Sequence, residues 1–193
     1  MASPARDGAT RDPLSAVYAS HPFKGLDHAI ELVSRVRPDY PELRLDVYGS
    51  AALWGDDLST ADASGHPEWV SIKGGVAQED VAQAMASHGV MLYITTWQDG
   101  FSLATAEALA GGVIVIATDH GANAEFIRHG WNGFLVSVNE RHEPDLDQAE
   151  RLLRHYLARP GALEDMRKRA VDSVPSWDEQ AAQWERAWQG IVR

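Results

Sequence analysis

Val90-Met-Leu-Tyr-Ile-Thr95 is followed by Trp97-Gln-Asp-Gly-Phe-Ser-Leu-Ala-Thr-Ala-Glu-Ala-Leu-Ala-Gly-Gly112 and then by Val113-Ile-Val-Ile-Ala-Thr118. The two outer runs are apolar on both faces, as expected of central parallel strands covered by helices on each side. The alanine-rich stretch between them reads as a helix at about Ser102 to Ala110, returning the chain to the next strand. Outward from this unit the same alternation continues. Strands are expected at Leu14 to Ala19, Leu43 to Tyr48, Trp69 to Ile72 and Gly133 to Val136, with helices at about Leu26 to Arg37, Gln78 to Ser87 and Asn123 to His129. Short β-branched runs alternating with helical patterns predict an α/β fold: a doubly wound, Rossmann-like parallel sheet of six strands. Past Val136 the strands stop. Asp145 to Ala158, Gly161 to Val171 and Trp177 to Ile191 read as a helical C-terminal tail.

The 193 residues carry 17 Lys+Arg against 28 Asp+Glu, a net charge of −11, with 45% hydrophobic residues. This is the composition of one soluble globular domain, assigned to residues 14–193, and residues 1–13 read as a disordered leader. Cysteine is absent, which excludes disulfides, thiolate zinc sites and cysteine nucleophiles, and suits a reducing, cytoplasmic setting. An acidic balance without a basic stripe argues against nucleic acid. No apolar run approaches the roughly 20 residues that span a bilayer, so no transmembrane segment is expected.

Several nucleotide and hydrolase signatures are missing. There is no G-x-G-x-x-G after a strand, no G-x-x-x-x-G-K-[ST] and no G-x-S-x-G elbow. The histidines lack H-x-x-x-H spacing; His28, His66, His88, His129, His142 and His155 read as surface or capping residues.

What remains is concentrated between Trp97 and Gly112. Gly100 allows close approach to the backbone, and the amides of Phe101, Ser102 and Leu103 open a helix whose dipole favours an anion. These features describe a phosphate cradle. Glu107, at i+4 from Leu103, places a carboxylate roughly 6 Å further along the helix, a distance that suits a ribose hydroxyl. A purely structural reading weighs equally: Ser102 caps a buried helix and Glu107 pairs with a neighbour. Lys24, beside Gly25 at a helix start, adds a side-chain cation. Ile72-Lys-Gly-Gly-Val76 forms a glycine turn after the third strand.

Taken together, these segments resemble the C-terminal, donor-binding domain of a GT-B fold glycosyltransferase, of the retaining group 1 family that uses nucleotide-sugars. Lys24-Gly25-Leu26-Asp27 resembles the family's Lys-Gly-Leu-Asp opening, Leu45 to Gly49 its strand ending in Gly, and Ile72 to Val76 its Phe-x-Gly-x-Val loop. Asp99 to Glu107 resembles its Glu-x7-Glu motif, followed by Ala108-Leu-Ala-Gly-Gly112, Val115-Ile-Ala-Thr118, Gly121-Ala-Asn-Ala-Glu125 and Asn132-Gly-Phe-Leu135. The resemblance implies Lys24 on the donor diphosphate, Glu107 on the ribose, Asp99 on the transferred sugar and the amides after Gly100 on the phosphate. Gly74 to Val76 would hold the base, with Ser20, His21, Gly25 and Gly49 lining the substrate site. It also implies a metal-independent, hexosyl-type transfer without a cofactor, the donor being a UDP-, GDP- or ADP-sugar. The rival reading is a non-catalytic nucleotide-sugar-binding or scaffold module.

Three departures from the family pattern stand out. The first acid is Asp99 rather than Glu, one methylene shorter. The family's arginine before the lysine is absent, with Ala19, Ser20 and His21 in that stretch; His21 substitutes only as a cation, so diphosphate binding is expected to weaken above neutral pH. An N-terminal acceptor-binding domain does not fit in this length, so it is expected in cis or in trans. Trp177, Trp184 and Trp188 share one helical face, which core packing or docking on that other half would each explain.

Overall fold

The computed structural model describes residues 11–49 and 65–191. The polar stretch Gly49 to Pro67 reads in the sequence as an extended loop beyond the carboxyl end of the second strand; its residues 50–64, and residues 1–10 of the expected leader, lie outside the described ones. Strands β1 (Asp12–Ala19), β2 (Arg44–Tyr48), β3 (Val70–Gly74), β4 (His88–Tyr93), β5 (Ile114–Thr118) and β6 (Phe134–Val136) form one sheet in the order β3-β2-β1-β4-β5-β6. Every neighbouring pair is parallel. β4 and β5 are buried along their whole length, as double-sided apolar runs require.

The described residues form seven α-helices, α1 (Leu26–Val36), α2 (Gln78–Ser87), α3 (Leu103–Gly111), α4 (Asn123–Phe126), α5 (Leu146–Ala158), α6 (Glu164–Ser173) and α7 (Trp177–Ile191). α1 packs with α5, while α3 packs with α2 and α6. Tyr18, Leu32, Leu45, Leu92, Ile94, Leu109 and Ile114 are among the largest side chains with no appreciable exposure. Burying one such side chain contributes about 1.5–3 kcal/mol, so the core they share dominates the fold's stability.

Chain direction across the sheet reverses between β1 and β4. In such sheets the crevice outside the carboxyl ends of the strands at the reversal is the ligand position. Here it is formed by the turn after β1 and the loop after β4, and one glycine allows them to meet. Gly25 has φ 113°, and a Cβ there would lie 2.0 Å from the Ile94 carbonyl oxygen. The same carbonyl accepts a hydrogen bond from His28 Nδ1 at 3.2 Å.

Two arginines tie the opposite end. Arg11 donates to the carbonyls of Met85, His88 and Gly111, and Arg167 to those of Gly112 and Gly89, at the ends of α2 and α3 where orphan carbonyls gather. Both guanidiniums therefore sit where the helix dipoles favour a cation.

Several boundaries differ from expectation. β1 begins at Asp12, and Arg11 is anchored, so the order reaches into what reads as leader. α4 ends at Phe126 rather than near His129, because Asn132 donates to the Phe126 carbonyl and accepts from the Arg128 amide, turning the chain out of the helix. A 3-10 turn at Pro160–Leu163 precedes α6, which starts at Glu164 rather than Gly161. Of the surface and capping readings of His88 the capping one holds: it is the C-cap of α2, buried, with Nδ1 2.8 Å from the Ala84 carbonyl and Nε2 3.1 Å from Asp46. Core packing of the tryptophans is also overturned. α7 has no buried residue, and Trp184 and Trp188 are 61% and 60% exposed.

These features predict two contrasting mutants. Gly25→Ala should cost roughly 3 kcal/mol, from left-handed strain plus the backbone collision, seen as a fall in Tm of about 6–12 °C. Replacing both Trp184 and Trp188 with Gln should change stability by no more than about 0.5 kcal/mol each, as at other surface positions; a large loss of Tm would mean that α7 packs on the domain.

Candidate functional site

Lys24 ends a short 3-10 turn at Pro22–Lys24, directly before Gly25, and projects into the crevice between β1 and β4. Its Nζ lies 2.6 Å from Asp99 Oδ1, with the two side chains 24% and 15% exposed. The other carboxylate oxygen accepts from the Tyr93 hydroxyl at the end of β4. Burial pushes the Tyr93 phenol well above its usual value, and the hydrogen bond to Asp99 adds to this, so the hydroxyl stays a donor. Tyr18 stands beside it, ring centroids 6.4 Å apart, and donates to the His21 carbonyl at 2.7 Å.

The loop bearing Asp99 is held from beneath. The Ala122 amide donates to the Asp99 carbonyl at 2.9 Å, and Gly121 approaches so closely that a Cβ there would lie 2.6 Å from that oxygen. A chain of buried hydroxyl and amide groups continues the support. The Thr95 amide donates to Thr118 Oγ1, whose hydroxyl donates back to the Thr95 carbonyl; Asn123 donates to the Thr118 carbonyl and accepts from Thr105 Oγ1. Since that hydroxyl proton is used, Ser102 Oγ must be the donor to Thr105 Oγ1 at 2.7 Å. Fully satisfied buried networks of this kind rigidify what they join.

This network corrects the reading of Ser102 as a capping side chain. It occupies the N-cap position of α3 but makes no side-chain cap hydrogen bond, and its hydroxyl is turned inward. Of the three cradle amides, that of Leu103 donates to the Phe101 carbonyl at 3.2 Å, so it is engaged within the loop. Among the described residues no backbone carbonyl accepts from the Phe101 or Ser102 amide. Nothing lies within 4 Å of where a Gly100 Cβ would stand.

Glu107 is half-buried on α3 and accepts from Gln78 Nε2 at 2.6 Å. Burial raises its pKa above the ordinary 4.5, and the Gln78 hydrogen bond offsets part of that rise. Gln78 opens α2 two residues after Val76, so this contact brings Glu107 to the glycine turn after β3. Gly49 joins the same rim: its amide donates to the Gly74 carbonyl at 2.9 Å, while the Ser20 amide donates to the Tyr48 carbonyl at 3.1 Å. His21 Nδ1 accepts from the Phe23 amide at 3.2 Å, and the two rings stack. His21 thus caps the turn through Nδ1.

The structure thus brings together Lys24, Gly25, Asp99 and the Gly100 to Leu103 segment, with Ser20 and His21 in the turn after β1, Gly49 bonded to Gly74, and Glu107 bonded to Gln78, two residues past Val76. Tyr93, Gln78 and the Thr95, Thr105, Thr118 and Asn123 network are not singled out by sequence. Polar side chains inside otherwise aliphatic runs were the available signal. Among the described residues no group of three or more His, Asp or Glu could hold a metal ion, and no helix is long and apolar enough to cross a membrane.

Comparison with known proteins agrees with this geometry. Residues 14–155 match the family described as glycosyl transferases group 1. The chain is 30% identical over 164 residues to the GtfA subunit of a UDP-N-acetylglucosamine–peptide N-acetylglucosaminyltransferase from Streptococcus pneumoniae serotype 4, covering 81% of this chain and 31% of the relative. It is 28% identical over 183 residues to an MMP α-(1→4)-mannosyltransferase from Mycolicibacterium hassiacum, covering 92% and 43% respectively. The chain therefore spans less than half of these relatives. In fold it is similar to the pneumococcal O-GlcNAc transferase GtfA solved with UDP and GlcNAc, with TM-score 0.70 and 24% identity over 95% of this chain and 37% of that one. It is likewise similar to Anabaena HepE solved with UDP-glucose, with TM-score 0.71 and 19% identity over 92% and 49%. With three quarters of its length inside the family match, and the sheet order and glycosyltransferase neighbours that go with it, the chain belongs to the glycosyl transferases group 1 family, as a GT-B domain of Rossmann-like fold.

Proposed function

We propose that this domain is the donor-binding half of a retaining, hexosyl-type glycosyltransferase, taking a nucleoside diphosphate sugar at the β1/β4 crevice. The observation that carries the reading is the meeting of Lys24 and Asp99 beside the cradle after Gly100, at the reversal of the sheet. The lysine and the Phe101 and Ser102 amides would take the diphosphate, where cation and helix dipole together stabilise leaving-group charge without a metal. Glu107 would accept from the ribose hydroxyls, the Gly74 to Val76 turn would hold the base through its backbone, and Asp99 would face the transferred sugar. Uridine is the first base to try, since UDP and UDP-glucose are the ligands named for the similar structures.

The acceptor would be held by a second half, as a domain or a separate chain. Exposed Trp177, Trp184, Trp188 and Ile191 on α7 offer an apolar face for it, and one of the similar structures is described as a GtfA/B complex. Such an enzyme needs no resident cofactor, and a cytoplasmic setting fits the cysteine-free sequence.

Thermal-shift and calorimetric titration with UDP, GDP and ADP tests the reading. At a ligand concentration of 100 Kd, binding should stabilise the domain by about 2.7 kcal/mol, with selectivity for one base and loss in Glu107→Ala. No binding by a folded chain would favour the scaffold reading. The pH profile gives a second check. Because burial raises the Glu107 pKa, its acceptor carboxylate is present above that pKa and is lost as pH falls through it. Affinity for the nucleoside diphosphate should therefore weaken on acidification from neutral pH, and Glu107→Gln should remove that component.

A further inference from the structure

The Lys24 to Asp99 contact has a consequence for which ligand the crevice prefers. Asp99 Oδ1 is taken by Lys24 and Oδ2 by Tyr93, so both carboxylate oxygens are engaged before any ligand arrives. Asp99 immediately precedes Gly100, and the cradle amides follow at Phe101 and Ser102. Its carboxylate thus puts a negative charge on the crevice lysine, the group a diphosphate would need. An incoming diphosphate meets a cation already neutralised and a like charge beside it. The loop beneath Asp99 is fixed by Ala122, Gly121 and the buried threonine and asparagine network, so its backbone cannot simply withdraw.

We propose that Asp99, positioned by Tyr93, is an internal counter-ion that stands in for the diphosphate on Lys24 and makes the crevice discriminate a nucleoside diphosphate sugar from the bare nucleoside diphosphate. This deepens the donor-site reading and rests on it. A bare nucleoside diphosphate takes Lys24 but leaves the displaced carboxylate without an equivalent partner. A nucleoside diphosphate sugar takes Lys24 and also offers hydroxyl donors to the released Asp99. The exchange is costly for the first ligand and compensated for the second. Asp99 serves both states because an aspartate is short enough to reach Lys24 and Tyr93 together from a loop held against α4. Tyr93 is a positioning residue: its hydroxyl donates to Asp99 and keeps one carboxylate oxygen fixed while the other changes partner.

Calorimetric titration of the chain with UDP, UDP-glucose and UDP-N-acetylglucosamine, on wild type, Asp99→Asn, Lys24→Met, the double variant and Glu107→Ala, tests this. Asp99→Asn keeps the shape and can still accept from Tyr93, and circular dichroism checks its fold. It is expected to bind UDP roughly fivefold more tightly, about the worth of one partly exposed ion pair, and to bind neither UDP-sugar more tightly. The ratio of UDP-sugar to UDP affinity therefore falls. In the Lys24→Met background, Asp99→Asn should give no such gain. Tyr93→Phe should lower the ratio while leaving UDP binding dependent on Glu107. If wild type binds UDP in a Glu107-dependent way but Asp99→Asn leaves UDP affinity unchanged or weaker, the counter-ion role is overturned and the donor site stands. If neither wild type nor Asp99→Asn binds any of the three ligands, both the donor-site reading and this inference fail.

Discussion

At residue 25 the first helix begins so close to the end of the fourth strand that a Cβ would lie 2.0 Å from the Ile94 carbonyl oxygen. That approach lets the turn after β1 and the loop after β4 share one crevice at the reversal of the sheet. Lys24 and Asp99, 75 residues apart in sequence, come within 2.6 Å because of it. A residue with a side chain at this point would push the two loops apart, and the cation would no longer face the acid. Glycine is read in the sequence as part of a phosphate-binding opening; in the structure its more basic role is the packing of backbone on backbone.

The second constraint is rigidity of the loop that carries the acid. Strand ends with nothing above them are usually mobile, yet the segment from Thr95 to Ser102 is tied to β5, α3 and α4 through side-chain hydroxyls and one asparagine. A satisfied network of this kind holds dipoles and charges in place before a ligand arrives, which is what electrostatic preorganisation requires. The opposite end of the sheet is held by Arg11 and Arg167 on the carbonyls at the ends of α2 and α3. Crevice chemistry is thus carried by a scaffold clamped at both ends.

The charged groups of the crevice each have a partner. Lys24 and Asp99 neutralise each other, and Glu107 is held by a neutral amide, Gln78. A ligand with negative phosphates and hydroxyl donors can exchange with each of these contacts in kind. α7 differs from the other helices: a regular helix with an apolar stripe of tryptophans and no buried residue, in a chain that spans less than half of these relatives.

Sequence alone determined the layers and the six strands, because apolar period is a local property of the chain. Val90 to Thr95 and Val113 to Thr118 can be buried on both faces only in a covered parallel sheet, and Asp99 and Glu107 keep their spacing whatever surrounds them. Tertiary structure decided what each group touches. Tyr93 looks like one more strand residue until the chain reversal sets its hydroxyl on Asp99, and Gln78 meets Glu107 only because α2 packs beside α3. The same holds for His88, whose partner Asp46 lies across the fold, and for Ser102, which reaches Asn123 only through Thr105. The sign of a local pattern is written along the chain, but the pairing of polar groups is fixed by which elements become neighbours, and that follows only from burying the whole core at once.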